Sequence, residues 1–220
     1  MAGARVARGL VVVIDVFRAF SVAAYAFARG ARTVIPVAAA ADAQELKRSH
    51  PEWLLIGERH ARPLPGFDCG NSPTELERFD LRDRTIIHTT HSGTQGLTSA
   101  VRADEVVIGA LVNAAAIVRY IRSRALAVVT LVRMGHEARE RCDEDDLCAE
   151  LLRLRLEAGT FESEVRGRLK NAASAAKFFD PACHWAPERD FELCTALDRF
   201  DSVLRLEPGE GPPSLKRIEV

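Results

Sequence analysis

Short apolar runs rich in β-branched residues alternate with alanine-rich amphipathic stretches along the first two thirds of the chain. The apolar runs have the length of strands, and the stretches between them repeat their apolar positions with the helical period. Such alternation is typical of an α/β protein, and we expect a mostly parallel sheet with flanking helices in three layers. The pattern predicts strands at 10–15, 33–37, 53–57, 84–90, 105–111 and 126–132, and helices at 18–29, 40–48, 94–102, 113–123 and 145–158.

The pattern changes beyond Gly159. Helical periodicity is weaker there, near 162–178 and 187–198, and a short strand near 202–206 precedes a polar tail that contains proline and glycine. We interpret this region as a smaller helical C-terminal portion. We expect a single domain spanning 1–220, in which any subdomain change lies near residue 159.

Polar segments follow the apolar runs at five places along the chain. In α/β proteins, ligands bind outside the carboxyl ends of strands, where loops and helix amino termini converge. We therefore expect one polar active site. Its candidate segments are 15–18, 57–59, 89–94, Asn113 and the acidic run 143–146.

The composition favours small-molecule chemistry. Thirty basic residues balance thirty-one acidic ones, the formal net charge is -1, and no basic block provides the footprint of a nucleic-acid binder. The apolar run 10–14 is too short to span a membrane and leads directly into Asp15 and Arg18. Five cysteines without paired C-x-x-C spacing indicate reduced thiols and a cytoplasmic protein. A homo-oligomer is compatible with this sequence.

The connection from Glu58 to Thr74 is longer than most loops of compact domains, so it is either functional or disordered. Three prolines restrict its backbone, and the segment 66–73 has the composition of a structured, ligand-facing turn. An Ω-loop with a purely structural role is the alternative interpretation.

The segment 89–94 is a strand end that passes through a hydroxyl-rich turn into a helix. Free backbone N–H groups and the helix dipole attract anions at such a position, and a phosphate or sulfonate fits there. Serine and threonine are also common helix caps, so Ser92 or Thr94 could serve only as caps. We expect His88 to pack within the strand and His91 to face the site.

Four consecutive acids at 143–146 begin a predicted helix. Acids in a first helical turn stabilise the positive end of the helix dipole, which is one explanation of the run. Four of them exceed what capping needs, and they also suit Mg²⁺, which binds through one or two carboxylates plus substrate phosphate oxygens. Asp15, at a strand end, could supply a further carboxylate.

Common phosphate-binding motifs do not occur here: neither a Walker-type glycine loop nor G-x-G-x-x-G is present. Seven short segments instead form a combination that is more specific than any one of them. In chain order they are Val12–Ala19 (V-V-I-D-V-F-R-A), Gly57–Arg59 (G-E-R), Gly66–Pro73 (G-F-D-C-G-N-S-P), Thr89–Thr94 (T-T-H-S-G-T), Gly109–Ala114 (G-A-L-V-N-A), Glu144–Ala149 (E-D-D-L-C-A) and, more weakly, Asp198–Asp201 (D-R-F-D). With these motifs the chain resembles the 2-phosphosulfolactate phosphatase family.

The resemblance implies a Mg²⁺-dependent enzyme that hydrolyses 2-phosphosulfolactate, a small phosphorylated and sulfonated acid, to sulfolactate and phosphate. The candidate metal ligands are Asp15, Glu144 and Asp145. The candidate catalytic residues are Asp15, Arg18, Glu58, Asp68 and Asp145. The candidate substrate-binding residues are Arg59, Asn71, Ser72, Thr89, Thr90, Ser92, Gly93, Thr94 and Asn113.

In this hypothesis water attacks the phosphate, while Arg18, Arg59 and the turn 92–94 stabilise the developing charge. Asp68 or Glu58 would orient the water as a general base. A covalent route through Cys148 is an alternative, because a helix amino terminus can lower the pKa of a thiol, although burial of this cysteine as a packing residue is the simpler interpretation.

The chain departs from the family motifs at several positions. The family's R-A-T-S-T is R-A-F-S-V here, which replaces two hydroxyl side chains with Phe20 and Val22. Ser92 takes the place of an asparagine, and Glu150 that of a glycine. Two alternatives follow: a phosphatase for another small phosphorylated hydroxy acid, or a non-catalytic relative that binds anions.

Overall fold

A computed structural model describes residues 2–124, 126–158, 164–209 and 211–220. Its strands are β1 (Leu10–Ile14), β2 (Thr33–Pro36), β3 (Leu54–Arg59), β4 (Arg62–Pro63), β5 (Thr85–Thr89), β6 (Glu105–Gly109), β7 (Val129–Arg133), β8 (Ser202–Glu207) and β9 (Ser214–Glu219). Its helices are α1 (Ala2–Val6), α2 (Ala19–Ala28), α3 (Ala40–Ser49), α4 (Pro73–Leu76), α5 (Gly93–Ser99), α6 (Ala114–Ser123), α7 (Asp143–Leu156), α8 (Val165–Lys170), α9 (Ala176–Phe179) and α10 (Glu188–Cys194). Two 3₁₀ helices span Leu111–Asn113 and Ala173–Ala175.

The alternation of strands and helices predicted for the first two thirds of the chain is confirmed. The helix predicted at 162–178 is instead divided into α8, a 3₁₀ helix and α9; residues 162–163 and Gly159 lie outside the described part of the chain. The sequence did not predict α1, β4, α4 or β9. These elements are short or strongly charged, so they carry little periodic signal.

The sheet is mixed, so the prediction of a mostly parallel sheet is wrong. Its strand order is β4-β3-β5-β2-β9-β8-β6-β1-β7. Strands β2, β3 and β5 are parallel to one another, as are β1, β6 and β7. The antiparallel pairings β2–β9, β9–β8 and β8–β6 lie between these two groups, which therefore run in opposite directions.

The hairpin β8–β9 lies in the middle of the sheet, where it joins the two parallel groups. Its second strand was expected to be part of a polar tail. Leu215 is only 1% exposed and pairs with Val34 of β2, whereas Arg217 is exposed. Leu215 is the one buried residue of a strand in which three of six residues are charged, so the strand carries little apolar signal in the sequence.

Apolar clusters cover both faces of the sheet. Val11 and Val13 of β1 belong to a cluster that includes residues of α2 and α5. Leu10, Val12 and Ile14 belong to a second cluster with residues of α6 and α7. This alternation explains why β1 is apolar at every position: both of its faces are buried. The three-layer arrangement stays a prediction. None of the described helices combines the length and apolar character needed to cross a membrane.

Helix α5 brings the two parallel groups together at one place. It follows β5 but packs against β1, which belongs to the other group. The approach is close at Gly96, where a Cβ atom would lie 2.3 Å from Sδ of Met134 and 2.8 Å from Cγ1 of Val13. Glycine at this position lets α5 approach Val13 and Met134 closely. The loops that follow β1 and β5 meet as a result, although their strands run in opposite directions.

We expect Leu215→Ala to lower the free energy of unfolding by about 2–4 kcal/mol, because it leaves a cavity between the two strand groups. Arg217→Ala, at an exposed position of the same strand, should change it by less than about 0.5 kcal/mol. Urea unfolding followed by circular dichroism measures both values. Equal losses in the two variants would contradict a central role for the hairpin.

Candidate active site

A cavity of about 190 Å³ lies where loops from both strand groups meet. It is lined by residues that follow β1, β3, β5 and β7, by the first turn of α7 and by a segment that includes α9. Its charged lining consists of five carboxylates and two cations. They are Asp15, Glu58, Glu137, Glu144 and Asp145, with Arg18 and Lys177.

Asp15 stands at the end of β1 and is 7% exposed. Its Oδ1 accepts a hydrogen bond from the backbone N–H of Ala19 at 3.2 Å, so the carboxylate also holds the first turn of α2. Burial, and then the charge of Glu58, raise the pKa of Asp15 to about 7. Ionised Asp15 is therefore costly in this cavity unless a cation lies near it.

Asp145, in the first turn of α7, is 2% exposed and joins three segments. Its two oxygens accept the N–H groups of Val16 at 2.9 Å and of Gly135 at 2.8 Å. Burial, followed by the charges of Asp15 and Glu144, raises its pKa well above the usual range, against the effect of the two N–H donors. Asp15 and Glu144 thus disfavour the charged form of Asp145.

The acidic run at the start of α7 is divided between two surfaces. Glu144 and Asp145 line the cavity, and Glu144 accepts a hydrogen bond from the hydroxyl of Ser174. Asp146 instead pairs with Arg133 and Arg141, at 2.7 Å each, outside the cavity. Only two of the four acids are therefore available for chemistry at this site, and they are the two that the sequence analysis selected as metal ligands.

Glu58 connects two loops that contribute to the cavity. Its Oε1 accepts the N–H of His91, which follows β5, and its Oε2 accepts the N–H of Ala61, which follows β3; both distances are 2.7 Å. His91 lines the cavity as expected, whereas His88 is buried in β5, where burial lowers its pKa to about 3. Within the connection that follows Glu58, His60, Ala61 and Asn71 line the cavity.

Arg18 is held in the cavity by Asp190, a residue that the sequence analysis missed. Nη1 of Arg18 donates to Oδ2 of Asp190 at 2.7 Å and to the carbonyl of Trp185 at 2.9 Å. Nη2 of Arg18 donates to the carbonyl of Ala61 at 3.3 Å. Both side chains of the Arg18–Asp190 pair are almost fully buried. Asp190 therefore fixes the position of the guanidinium.

Asp190 also orders the loop before α4. Its Oδ1 accepts from the hydroxyl of Ser72 at 2.9 Å and from the N–H of Thr74 at 3.0 Å. Ser72 in turn accepts the N–H of Glu75 and caps α4. Ser72 thus holds this loop and helix α4 in place. Asn71, which is hydrogen-bonded to His88 at 3.0 Å, lines the cavity.

Hydrogen-bonding groups of the turn at 89–94 pair largely with one another. Thr94 Oγ1 accepts the N–H of Thr90 at 2.9 Å, and Thr90 Oγ1 accepts the N–H of Thr94 at 3.1 Å. Ser92 lines the cavity and accepts the N–H of Ala138 at 3.0 Å. A Cβ atom at Gly93 would lie 2.8 Å from Oδ2 of Asp15, so a glycine lets this turn approach the carboxylate closely.

Eight candidate residues do not belong to the cavity lining: Arg59, Asp68, Ser72, Thr89, Thr90, Gly93, Thr94 and Asn113. Arg59 donates to Thr89 Oγ1 and to the carbonyl of Ala38, both at 2.8 Å. Asp68 accepts from Lys47 at 3.0 Å and from the N–H of Leu55 at 2.7 Å, an arrangement that anchors its loop to β3. Asn113 is 1% exposed and hydrogen-bonds the backbone of the preceding turn.

Cys148 is fully buried among apolar residues of α6 and α7. Burial raises the pKa of its thiol well above the usual range, with a smaller contribution from Asp145. A thiolate nucleophile is therefore disfavoured at this position, and the packing interpretation fits the structure.

The cavity also contains residues that the sequence analysis did not select, among them Lys177, His60 and Glu137. Burial, then the neighbouring Arg18, lower the pKa of Lys177, whereas Glu144 and Asp15 act in the opposite direction. Lys177 lies in an alanine-rich helical stretch without a recognisable motif. No signal in the sequence distinguishes it from a surface lysine.

The fold and the cavity define a class of protein: an α/β protein whose small cavity combines carboxylates with an arginine and a lysine, as in an enzyme for a small anionic ligand. A family model described as 2-phosphosulpholactate phosphatase matches residues 2–209. The chain belongs to this family of phosphatases, and the resemblance seen in the sequence motifs is confirmed.

Bacterial relatives support this assignment along nearly the whole chain. A probable 2-phosphosulfolactate phosphatase of Caldanaerobacter subterraneus subsp. tengcongensis is 33% identical over 214 residues, which cover 90% of this chain and 88% of that protein. Proteins with the same description from Thermotoga petrophila and Bacillus subtilis are 35% and 28% identical over 211 residues each. These alignments cover 90% and 94% of this chain, and 89% and 91% of the relatives.

We expect Asp190→Ala to lower the free energy of unfolding by about 3–5 kcal/mol, because it leaves the buried guanidinium of Arg18 without its counter-ion. Asp201→Ala is the matched control. The side chain of Asp201 is 83% exposed, and it pairs with Arg119 at the surface. That control should cost less than about 1 kcal/mol. Chemical unfolding of both variants tests the assignment, and a small loss for Asp190→Ala would remove Asp190 from the positioning of Arg18.

Proposed function

We propose that this protein hydrolyses the phosphate ester of 2-phosphosulfolactate, releasing sulfolactate and phosphate, with Mg²⁺ as its cofactor. The observation that carries the proposal is the pair of buried carboxyl groups, Asp15 and Asp145, in a cavity that also presents Arg18 and Lys177. Family membership supports the substrate class, because the relatives are described as probable 2-phosphosulfolactate phosphatases.

The residues of the cavity fit a hard divalent cation. Burial raises the pKa of both Asp15 and Asp145, Glu144 raises both further, and Asp15 raises that of Asp145. The two carboxyl groups accept their described hydrogen bonds from backbone N–H groups rather than from cationic side chains. With Glu144 they provide the oxygen ligands that Mg²⁺ prefers. Such an ion, when bound, neutralises charge on phosphoryl oxygens.

Electrostatics supports the need for a cation more generally. A substrate with phosphate, carboxylate and sulfonate groups is strongly anionic, whereas carboxylates outnumber cationic side chains in the cavity lining. Charges of the same sign repel each other strongly when water is excluded. The cavity therefore binds such a substrate only when cations offset part of its own negative charge.

Arg18 and Lys177 are the groups that we assign to anion binding. Three protein contacts of the Arg18 guanidinium are described, and a guanidinium has five N–H donors, so donors are left for a phosphate or sulfonate oxygen. Arg18 lowers the pKa of Lys177, which reflects repulsion between the two cations. An anion bound between them would offset that repulsion.

Glu58 is the general base that we favour for orienting the attacking water. It lines the cavity, whereas Asp68, the other candidate, pairs with Lys47 outside it. Each Glu58 oxygen accepts one backbone N–H, and a carboxylate oxygen has a second lone pair for a water molecule.

The departures from the family motif at Phe20 and Val22 favour a catalytic protein over a non-catalytic relative. Both side chains are buried in the apolar cluster that covers one face of the sheet, and neither belongs to the cavity lining. Ser21, between them, donates its hydroxyl to the carbonyl of Val16. The two substitutions therefore change the packing behind the site and not the surface that faces a substrate.

The direct test is phosphate release from 2-phosphosulfolactate by the purified chain, first with Mg²⁺ and then with EDTA. We expect turnover that requires the metal ion. A panel of other phosphorylated hydroxy acids is measured in parallel. Phosphate release from other hydroxy acids but not from 2-phosphosulfolactate would indicate a different substrate. A folded protein that releases no phosphate from any of these compounds would contradict the proposal.

Asp145→Asn should abolish Mg²⁺-dependent turnover, because the amide removes the negative charge from a proposed metal ligand. Asp146→Asn is the matched control: it changes the next acid of the same helical turn, which pairs with Arg133 and Arg141 outside the cavity. We expect the control to retain turnover within about a factor of three of the unmodified chain. Steady-state kinetics compares the two variants, and full activity of Asp145→Asn would exclude Asp145 from the mechanism.

A further inference from the structure

We propose that His60, His91 and Glu137 form a second metal site in the same cavity, one that binds a divalent transition-metal ion of the Zn²⁺ type. This site is separate from the oxygen ligands of Asp15, Glu144 and Asp145. The inference concerns metal binding by itself and does not depend on the proposed phosphatase activity.

The three side chains converge at the cavity from three loops. One potential ligand atom of each residue lies within 4.8 Å of those of the other two. Nδ1 of His60 and Oε1 of Glu137 are 2.5 Å apart, and the rings of His60 and His91 meet edge to face with centroids 4.7 Å apart. Ligand atoms of a tetrahedral zinc site are roughly 3.3 Å apart, so modest side-chain movements suffice to close the site.

An unsatisfied nitrogen provides an independent sign of a ligand. Nδ1 of His91 is buried and has no hydrogen-bond partner among the described residues. Buried polar atoms almost always have a partner, so a group without one needs an explanation. A metal ion that binds an imidazole nitrogen is a direct explanation, because His91 lies in the cavity beside His60 and Glu137.

Two hydrogen-bonded side chains hold the ligand-bearing loops in place. Glu58 accepts the N–H of His91 and that of Ala61, next to His60, so it couples the two histidine loops. Ser92, next to His91, accepts the N–H of Ala138, next to Glu137. Outer groups that orient the loops or side chains of metal ligands in this way are a general feature of metal sites.

The chemistry of the donor set selects the ion. Two imidazoles and one carboxylate suit Zn²⁺ and related transition metals, whereas Mg²⁺ prefers oxygen ligands alone. Three protein ligands leave at least one coordination position of such an ion open. Since all three residues line the cavity, that position faces the space in which an anionic ligand would bind.

The test is Zn²⁺ binding to the full chain by isothermal titration calorimetry, after treatment with a chelator and in the presence of excess Mg²⁺. We expect one Zn²⁺ per chain. His60→Ala and His91→Ala should each weaken binding at least tenfold, because the loss of even an outer-shell partner costs about 10–100-fold. The side chain of His60 is 69% exposed, so its removal leaves the core intact even if the His91 variant folds poorly.

Two controls separate this site from its alternatives. His50→Ala removes another partly exposed imidazole that faces a carboxylate, that of Glu52, and should leave Zn²⁺ affinity unchanged. Cys142→Ala should also retain the ion, because Cys142 belongs to the other candidate group, with Glu144 and Asp145, and not to this one. No Zn²⁺ binding, unchanged affinity in His60→Ala, or loss of the ion in Cys142→Ala would each overturn the proposal.

Discussion

The carboxylate of Asp145 is the contact on which the site depends. It is supplied by α7, yet its oxygens accept backbone N–H groups from the loops after β1 and β7. A buried carboxylate without such donors would be strongly destabilising, so the three segments must remain together. The same geometry brings Asp145 into the electrostatic field of Asp15. The interaction that organises the loops therefore also concentrates negative charge in the cavity.

The two cationic side chains of the cavity do not cancel this negative charge. Arg18 is not free to neutralise Asp15 or Asp145, because Asp190 already pairs with it. Burial and Arg18 also disfavour the charged form of Lys177. The fixed cations thus offset only part of the negative charge. In the proposed function, a metal ion bound here would offset the rest, so that binding of the ion and binding of an anionic substrate would favour each other.

The residues of the candidate site that the sequence could indicate are those marked by a short-range sequence pattern. Asp15 at a strand end, Glu58 in the G-E-R segment and the acidic run at the start of α7 follow from short-range patterns. Asp15, Glu58 and two of the four acids of that run, Glu144 and Asp145, line the cavity. Asp68 has the same chemistry, but its carboxylate is occupied by Lys47 and the backbone of Leu55, contacts that the sequence does not reveal.

What the sequence could not indicate depends on contacts between distant segments. Asp190 meets Arg18 across 172 positions, and neither short helix α10 nor its neighbours carry a motif for it. The opposite directions of the two strand groups have the same origin, because they are set by the pairing of β8 and β9 between β6 and β2. Local periodicity specifies that a strand exists, whereas its neighbours are chosen by packing over the whole chain.

The substitutions at Phe20 and Val22 show how a motif can change while its site remains. Arg18, the residue before α2, lines the cavity, whereas Phe20 and Val22 of α2 belong to the apolar cluster. Eight of the ten residues of α2 are buried, so most letters of this motif serve the packing of the helix. Hydroxyl groups at those two positions would be directed into the packing between α2 and the sheet. Their replacement by apolar side chains therefore bears on the core, and the chemistry of the cavity is determined by the residues that line it.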